Sequence, residues 1–352
     1  MNNLTPAGRL EGLDHARFLA FVGMVIVNFK IAMGADKSGG GILSLITGAL
    51  EGRAAATFVV LAGIGLGLAA ARSELGQTMM VMLKRAAFLL VIGLLNSLIF
   101  DADILHYYAF YFLFGVFCLP LATQWLVAIV ALVNIAFIAM VFVLDYEVGW
   151  NWNNYSYSGF WTPVGFVRNL FFNGWHPVFP WLSFLLYGII LSRLTLHEES
   201  TQNRLIFWGA LIFVLTGIFS YMLIVSLEHG YKELSALLGT APIPPMPLYM
   251  LTGISIATAV VGICLRTSAS LGNKGILAYV TPAGRQTLTL YIAHILIGMG
   301  TLEALNLLGG QTLPTAVLAA LLFCTLATIY AFGWAKVFKR GPIEAIMRRV
   351  AG

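Results

Sequence analysis

The residues of this chain best suited to chemistry are histidines with a carboxylate or a rigid turn beside them. Asp103 and His106 stand three positions apart, so a helix would bring the carboxylate next to the imidazole. His176 comes just before Pro177 and Pro180, in an aromatic segment where prolines suit the first turn of a helix. An imidazole with a pKa near its usual value of about 6.5 takes and returns a proton near neutrality. Both histidines are therefore candidate general bases, although an interfacial histidine without a catalytic role has the same signature.

Two further polar stripes lie inside apolar stretches. Asn28 follows Arg17 by eleven positions, which returns a helix to nearly the same face about 16 Å farther along. Thr287, Tyr291 and His294 follow one another at spacings of four and three, which also places them on one face. Polar groups at membrane depth are costly, so we expect His294 to face the interior beside the first helix, within reach of a partner such as Asn28. The alternative is that Asn28 and His294 only form hydrogen bonds to neighbouring helices.

Composition defines the elements that must position these residues. Hydrophobic residues make up 59% of the 352 positions and charged residues only 10%. This balance is typical of a polytopic helical membrane protein, since a soluble domain of this length needs more charge on its surface. We predict an all-α fold, a single transmembrane domain over residues 1–352, with ten spans near 16–36, 54–73, 80–100, 104–123, 124–144, 176–196, 205–227, 246–265, 286–307 and 313–335.

The charge pattern predicts the orientation of these spans. If the N-terminus is cytoplasmic and ten helices alternate, all but five of the 20 Lys and Arg residues fall on the inside, as the positive-inside rule expects. Both termini would then be cytoplasmic. The five on the outside are Lys30, Lys37, Arg53, Arg168 and Lys232. The basic residues are scattered over helix ends and form no stripe, so nucleic acid is not indicated. The three cysteines lie far apart in apolar stretches, and we predict no metal site.

Two outer segments are longer than turns. Residues 145–175 are rich in Trp, Tyr, Phe, Asn and Gly, and residues 228–247 end in the proline-rich stretch 241–247. The proline-rich stretch cannot be helical. We predict that these segments cap a cavity that opens outward, the alternative being an ordinary belt of aromatic residues at the membrane interface.

Five pieces of the sequence resemble a known family, and together they span the chain. They are Arg9-Leu-Glu-Gly-Leu-Asp14-His-Ala-Arg17 with Asn28 beyond it, Asp103-Ile-Leu-His106-Tyr-Tyr, Asn173-Gly-Trp-His176-Pro-Val-Phe-Pro-Trp181, Gly284-Arg285-Gln-Thr-Leu-Thr-Leu-Tyr291 and Phe338-Lys-Arg-Gly341-Pro342-Ile-Glu344. In these pieces the chain resembles the YeiB-like bacterial membrane proteins, which are related to heparan-alpha-glucosaminide N-acetyltransferase in the transmembrane acyltransferase superfamily.

The resemblance implies acyl transfer across the bacterial cytoplasmic membrane. Acetyl-CoA or another acyl-CoA would bind from inside, and a hydroxyl or amine of a small molecule or glycan outside would accept the acyl group. An Arg low in the first helix holds the donor in related enzymes, and Arg17 matches it. The His that follows it by eleven positions in the broader group is Asn28 here, so another histidine must act as the base.

We therefore expect a base among His176, His106 oriented by Asp103, and His294. We expect a donor site formed by Arg17, Arg285, Lys84, Arg85 and Asn28. Membrane lipid surrounds the chain, and a homo-oligomer is left open. The competing hypothesis is a transporter or flippase for an amphiphilic anionic or glycan-type substrate, with the same arginines along its path.

Overall fold

The structure is a computed structural model that describes residues 10–35, 41–227 and 232–352; Arg9 and Lys37 lie outside these ranges. The described chain is helical apart from one short antiparallel hairpin. In chain order the elements are α1 (Glu11–Ala32), α2 (Ile42–Leu50), α3 (Arg53–Ala70), α4 (Leu75–Asn96), α5 (Leu105–Cys118), α6 (Thr123–Val143), β1 (Trp150–Asn151), β2 (Ser156–Tyr157), α7 (Pro163–Arg168), α8 (Val178–Leu191), α9 (Glu199–Leu227), α10 (Lys232–Leu237), α11 (Pro247–Asn273), α12 (Ile276–Arg285), α13 (Thr287–Ala293), α14 (Gly300–Ala304), α15 (Leu313–Ala335) and α16 (Pro342–Ala351). Two π-helical segments, Asn169–Asn173 and His294–Met299, follow α7 and α13.

Within the described residues, eight helical stretches are long and apolar enough to cross a membrane. The stretch Ile42–Ala70 joins α2 and α3, and Thr287–Ala304 joins α13 and α14 through the π-helical turn. A ninth crossing results if Pro163–Asn173 and Val178–Leu191, bent by 51°, form one broken span. The protein is thus a multi-pass helical membrane protein, but the predicted count of ten is not confirmed.

The predicted span 104–123 accounts for the difference between the predicted ten crossings and nine. The helix α5 has 14 residues, so it is only about 21 Å long and falls short of a hydrocarbon core of about 30 Å. The apolar run continues to residue 123, but Pro120 follows the last helical residue, Cys118, by two positions. Proline has no backbone N–H, so Pro120 cannot continue the helical hydrogen-bond ladder, and the helix ends while the apolar sequence goes on.

The helix α1 lies near the centre and contacts α3, α11, α12 and α15. The neighbouring pair α3 and α8 packs backbone against backbone. A Cβ added to Gly63 would lie 2.1 Å from the Leu185 carbonyl oxygen, and one added to Gly188 would lie 2.1 Å from that of Val60. Small residues at such contacts allow membrane helices to approach closely. The tight packing fixes α8, and with it the segment just before α8 that carries His176.

The first and last described helices meet at one end of the bundle. Oε1 of Glu11 in α1 lies 3.6 Å from Nη2 of Arg285 at the end of α12. Oε1 of Glu344 in α16 accepts a hydrogen bond from the backbone N–H of Leu288 at the start of α13. We call this the arginine end. The opposite end, where the β1–β2 hairpin lies, is called the hairpin end. That the arginine end faces the cytoplasm stays a prediction from the charge pattern.

Candidate functional site

Two cavities enter the bundle from opposite ends and meet beside the middle of α1. The arginine-end cavity has a volume of about 200 Å³ and is lined by Arg17, Arg85, Thr287 and a wall of apolar and aromatic side chains. The hairpin-end cavity has a volume of about 350 Å³ and is lined by Asn28, Glu51, His176 and several aromatic rings. Three side chains line both cavities: Met24, Ile104 and Tyr291. These three residues, which we call the partition, are all that the two linings share.

A buried carboxylate organises the arginine end. Asp14 is 1% exposed; its Oδ1 accepts a hydrogen bond from Nη1 of Arg17 at 2.7 Å and its Oδ2 one from Nε of Arg285 at 3.1 Å. One carboxylate thus holds guanidinium groups from α1 and α12, each still partly exposed. Charged bonds of this kind fix the geometry of an arginine before any ligand arrives.

The two neighbouring basic residues of α4, Lys84 and Arg85, differ in exposure and in position relative to the cavities. Arg85 lines the arginine-end cavity with a half-buried side chain, and its Nε has no hydrogen-bond partner among the described residues. Lys84 is exposed and lies outside the linings of both cavities. Arg17 and Arg85 are therefore brought together, Arg285 joins them through Asp14, and Lys84 stands apart.

The predicted polar stripe along α13 is confirmed. Thr287 lines the arginine-end cavity, Tyr291 lies in the partition, and His294 is fully buried behind it. The Nε2 of His294 lies 3.0 Å from Nδ2 of Asn28, so the expected contact with the first helix is confirmed. The Nδ1 of His294 bonds the Tyr291 carbonyl oxygen, and since that oxygen only accepts, Nδ1 carries the proton. The ring is neutral and both nitrogens are occupied.

Asp103 and His106 form the expected pair, deep in the bundle. Oδ2 of Asp103 lies 2.9 Å from Nδ1 of His106 and also accepts the His106 backbone N–H at 3.1 Å. The other oxygen accepts from Asn96 Nδ2 at 2.7 Å and from the Tyr291 hydroxyl at 3.3 Å. Nε2 of His106 is buried and has no partner among the described residues. The carboxylate holds the proton on Nδ1, so the free lone pair is on Nε2, as a general base requires.

His106 and His176 do not share a cavity. His106 lines neither cavity; it reaches the partition only through Asp103 and the Tyr291 hydroxyl, which in turn accepts the Ile104 backbone N–H at 3.1 Å. His176 lines the hairpin-end cavity directly, with its ring centroid 4.6 Å from that of Trp181. The Tyr107 ring lies between them, with centroids 3.9 Å from His106 and 5.9 Å from His176.

His176 is held through its backbone. The Tyr111 hydroxyl donates to the His176 carbonyl oxygen at 2.5 Å, and Pro177 follows as the N-cap of α8. The Nδ1 atom is buried and has no hydrogen-bond partner among residues 10–35, 41–227 and 232–352. The fixed backbone holds the partly exposed ring at the cavity wall, where it suits proton transfer to or from a bound molecule.

Both longer segments line the hairpin-end cavity, and that this cavity opens to the outer face stays a prediction. Tyr155 at the tip of the β1–β2 hairpin and Trp175 line it from one segment, while Pro242 and Ile243 line it from the other. Asn173 anchors the first segment, because its side-chain amide donates to the carbonyl oxygens of Tyr146 and Val148 at 2.8 and 2.9 Å. In this segment burial raises the pKa of the Tyr157 hydroxyl, which donates to Asn173 and accepts from Arg168. The hydroxyl therefore stays protonated and keeps donating near neutral pH.

The start of α13 is held from α16. Oε1 of Glu344 accepts the backbone N–H groups of Leu288 and Thr289 at 2.8 and 3.1 Å, and Oε2 accepts the Thr289 hydroxyl at 2.5 Å. A carboxylate at a helix N-terminus pairs unsatisfied N–H donors and complements the helix dipole. This contact fixes the helix that carries Tyr291 and His294.

Sequence reasoning missed several residues of the site. Glu51 and the partition residue Met24 line cavities without any motif, and Trp175 and Ile104 lie inside quoted motifs without having been singled out as site residues. Asn96 was detectable in principle, because it is an amide near the end of an apolar helix and such groups need a buried partner. Within the described part of the chain, no group of three or more His, Cys, Asp or Glu side chains is placed to hold a metal ion.

The fold and these cavities define a multi-pass membrane protein with a polar site that can be reached from both ends. Residues 9–231, well over half of the chain, match the family described as heparan-alpha-glucosaminide N-acetyltransferase, catalytic, and the chain belongs to that family. Residues 191–352 match a second family, described as a protein of unknown function (DUF418). The resemblance in the sequence motifs is thereby confirmed, and a transmembrane acetyltransferase-like function is supported. Neither the curated proteins nor the solved structures contain a significant match.

Proposed function

We propose that the protein is a transmembrane acyltransferase that moves an acyl group, acetyl in the first instance, from acyl-CoA at the cytoplasmic face to a hydroxyl or amine at the outer face. The observation that carries the proposal is the pair of cavities that meet at Met24, Ile104 and Tyr291. One cavity has guanidinium groups at its mouth, and the other has a histidine. Donor and acceptor can thus approach one partition from opposite sides of the membrane of a bacterium.

The arginine end suits the donor. Phosphate groups prefer guanidinium partners; Arg17 and Arg285 are bonded to the Asp14 carboxylate there, and Arg85 lines the same cavity as Arg17. The arginine-end cavity beyond them is narrow and mostly apolar, which suits an extended chain ending in a thioester at the partition. Lys84 is exposed beside this cavity, so its contribution is limited to long-range attraction.

The hairpin end suits the acceptor, with His176 as the base. His176 removes the proton from the acceptor hydroxyl or amine, the acceptor oxygen or nitrogen bonds to the thioester carbonyl carbon, and the carbon–sulfur bond breaks. The proton returns to the departing CoA thiolate, so atoms and charges balance. His106, held by Asp103, is the second candidate base and reaches the reaction through the Tyr291 hydroxyl. His294 has both nitrogens engaged and acts as a positioning residue.

The test is acetyl-CoA binding by the purified protein, followed by release of free CoA thiol. Wild type should bind acetyl-CoA, and it should release CoA slowly to water and faster when an acceptor is present. A folded wild-type protein that does not bind acetyl-CoA would contradict the proposal.

A carrier for an amphiphilic anion is the second candidate, because two cavities across a thin partition also suit alternating access. The two functions respond differently to substitution. A carrier tolerates loss of either histidine base and loses its substrate with Arg17. An acyltransferase loses turnover with the histidine and keeps acyl-CoA binding.

A further inference from the structure

A further cavity adjoins the hairpin-end cavity on the side of α2. It has a volume of about 560 Å³, lies between α2 and α9, and shares Glu51 and Pro242 with the hairpin-end cavity. Gly48 of α2 and Phe213 of α9 form part of its walls. We call it the α2–α9 groove. Because the two cavities share these residues, the α2–α9 groove is a side entrance to the hairpin-end cavity, which His176 lines.

The groove opens onto an apolar surface. On α2, Ile42 is 78% and Leu45 75% exposed, and the outward face of α9 carries exposed side chains such as Leu215 and Ile218. Both helices belong to stretches that are long enough to span a membrane. Large exposed apolar surfaces on such helices face lipid tails. The groove is therefore reached from within the bilayer.

Arg53 places a positive charge at the inner wall of the groove. Its side chain is 7% exposed, and Nη2 and Nη1 donate to the carbonyl oxygens of Thr240 at 2.9 Å and Gly48 at 3.4 Å. Nε is buried without an acceptor, and among the described residues no carboxylate lies within 4.0 Å of the guanidinium group. The nearby Glu51 attracts Arg53 but is bonded to Lys30. A buried cation without a directly bonded carboxylate is costly, so the site favours an anion.

The start of α3 adds to this positive field. Arg53 is its first residue, and no side chain caps this N-terminus. The helix dipole therefore reinforces the charge of the arginine instead of compensating it. A Cβ on Gly52 would lie 2.6 Å from the hydroxyl oxygen of Tyr249, a fully buried group without a hydrogen-bond partner among the described residues. The guanidinium group and the uncapped amides thus lie where the two cavities join, with the buried Tyr249 hydroxyl behind Gly52.

We propose that the acceptor is a membrane lipid with a phosphate in its head group, which enters sideways through the α2–α9 groove. The phosphate lies against Arg53 and the start of α3, the tails extend along α2 and α9, and the reacting hydroxyl or amine passes Glu51 toward His176. The transfer step rests on the proposed function, whereas the lipid site does not depend on it.

The test is binding of dioleoyl phosphatidylglycerol to the full chain in maltoside micelles, followed by native mass spectrometry. Gly48→Phe fills the groove and leaves Arg53 unchanged; a Cβ at Gly48 meets nothing within 4 Å, so the substitution fits the fold. Arg53→Gln removes the charge. Each should weaken retention of one lipid by about tenfold or more, as loss of a charged hydrogen bond does. The control Gly217→Phe, on α9 with equally open space, should bind like wild type.

Two controls test whether the bound ligand is a lipid that carries a phosphate. Dioleoylglycerol, which lacks the phosphate, should bind wild type and Arg53→Gln equally weakly. Displacement of the lipid by soluble glycerol phosphate at comparable concentration would overturn a lipid as the source. Unchanged lipid binding by both Gly48→Phe and Arg53→Gln would overturn the site.

The same variants separate this inference from the proposed function. Both groove variants should bind acetyl-CoA like wild type, because their sites lie at the hairpin end. If wild type does not bind acetyl-CoA, the proposed function fails while the lipid measurements still decide the site. If wild type binds acetyl-CoA and retains the lipid, yet never acylates phosphatidylglycerol or another phosphate-bearing lipid with a free hydroxyl or amine, the role of the lipid as acceptor is overturned.

Discussion

Asn28 of α1 and His294 join two distant parts of the chain through one hydrogen bond, with Asn28 Nδ2 3.0 Å from His294 Nε2. The His294 Nδ1 proton is already donated to the Tyr291 carbonyl oxygen, so Nε2 accepts from the amide. The bond ties the helix that carries Arg17 to the helix that carries Tyr291. It therefore holds together the two helices that carry the partition residues Met24 and Tyr291.

Asn28→Ala should lower the free energy of unfolding, because it leaves His294 Nε2 buried without a donor. The expected loss is about 1–3 kcal/mol. A double-mutant cycle with His294→Ala in detergent isolates the pair, and thermal unfolding measures it. We expect a coupling of about 0.5 kcal/mol or more, as for residues in direct contact. Strictly additive effects would show that the two side chains do not interact.

His176→Ala should reduce acyl transfer by about 10²–10⁴-fold, the usual contribution of a general base, and leave acetyl-CoA binding unchanged. The exposed His197 provides the control, and His197→Ala should behave like wild type. His106→Ala tests the second candidate in the same assay. If only the His106 variant loses turnover, the base is the buried pair with Asp103, and the role of His176 is wrong.

Tyr291→Ala should connect the two cavities, because the ring of Tyr291 lines both. Water from the hairpin end then reaches the thioester, and acetyl-CoA hydrolysis should rise relative to transfer. Tyr291→Phe keeps the ring and removes only the hydroxyl that bonds Ile104 and Asp103. It should lower the transfer rate without increasing hydrolysis. The ratio of free CoA released to acylated product distinguishes the two variants, and equal ratios would argue against the partition.

Periodicity predicted the faces of single helices correctly. Arg17 and Asn28 line the two cavities as eleven positions of a regular helix require, and Thr287, Tyr291 and His294 share one face. Regular helical geometry is local, so spacing in the sequence is sufficient to place such residues.

Contacts between segments that are distant in the sequence could not be predicted from it. Asp103 forms hydrogen bonds with Asn96, His106 and Tyr291, which lie on three different helices. These contacts depend on the tertiary packing of the helices. The length of α5 was predicted wrongly, because hydropathy measures how apolar a stretch is and not where its helical hydrogen bonds end, here at Pro120.

Arg85→Gln and Lys84→Gln form a matched pair, since each removes one positive charge from adjacent positions of α4. Only Arg85 lines the arginine-end cavity, so its loss should weaken acetyl-CoA binding by about tenfold, while Lys84→Gln should change it by less than about twofold. Isothermal titration at low and high salt separates a direct contact from long-range attraction. Equal losses that both disappear at high salt would show that neither residue contacts the donor.

Substitutions of Glu344 test whether α16 helps to position the site. Glu344→Ala removes the acceptor for the Leu288 and Thr289 backbone N–H groups, and it should cost about 1–2 kcal/mol of unfolding free energy, as loss of a helix cap does. Transfer should also fall, because α13 then holds Tyr291 less firmly. Glu344→Gln retains a carbonyl oxygen for the same two donors and removes only the charge, so it should recover most of the stability and transfer. Glu303→Ala, at an exposed position of α14, is the control and should match wild type in both measurements. A Glu344→Gln protein as impaired as Glu344→Ala would assign the effect to the charge itself, and full activity in Glu344→Ala would remove α16 from the site.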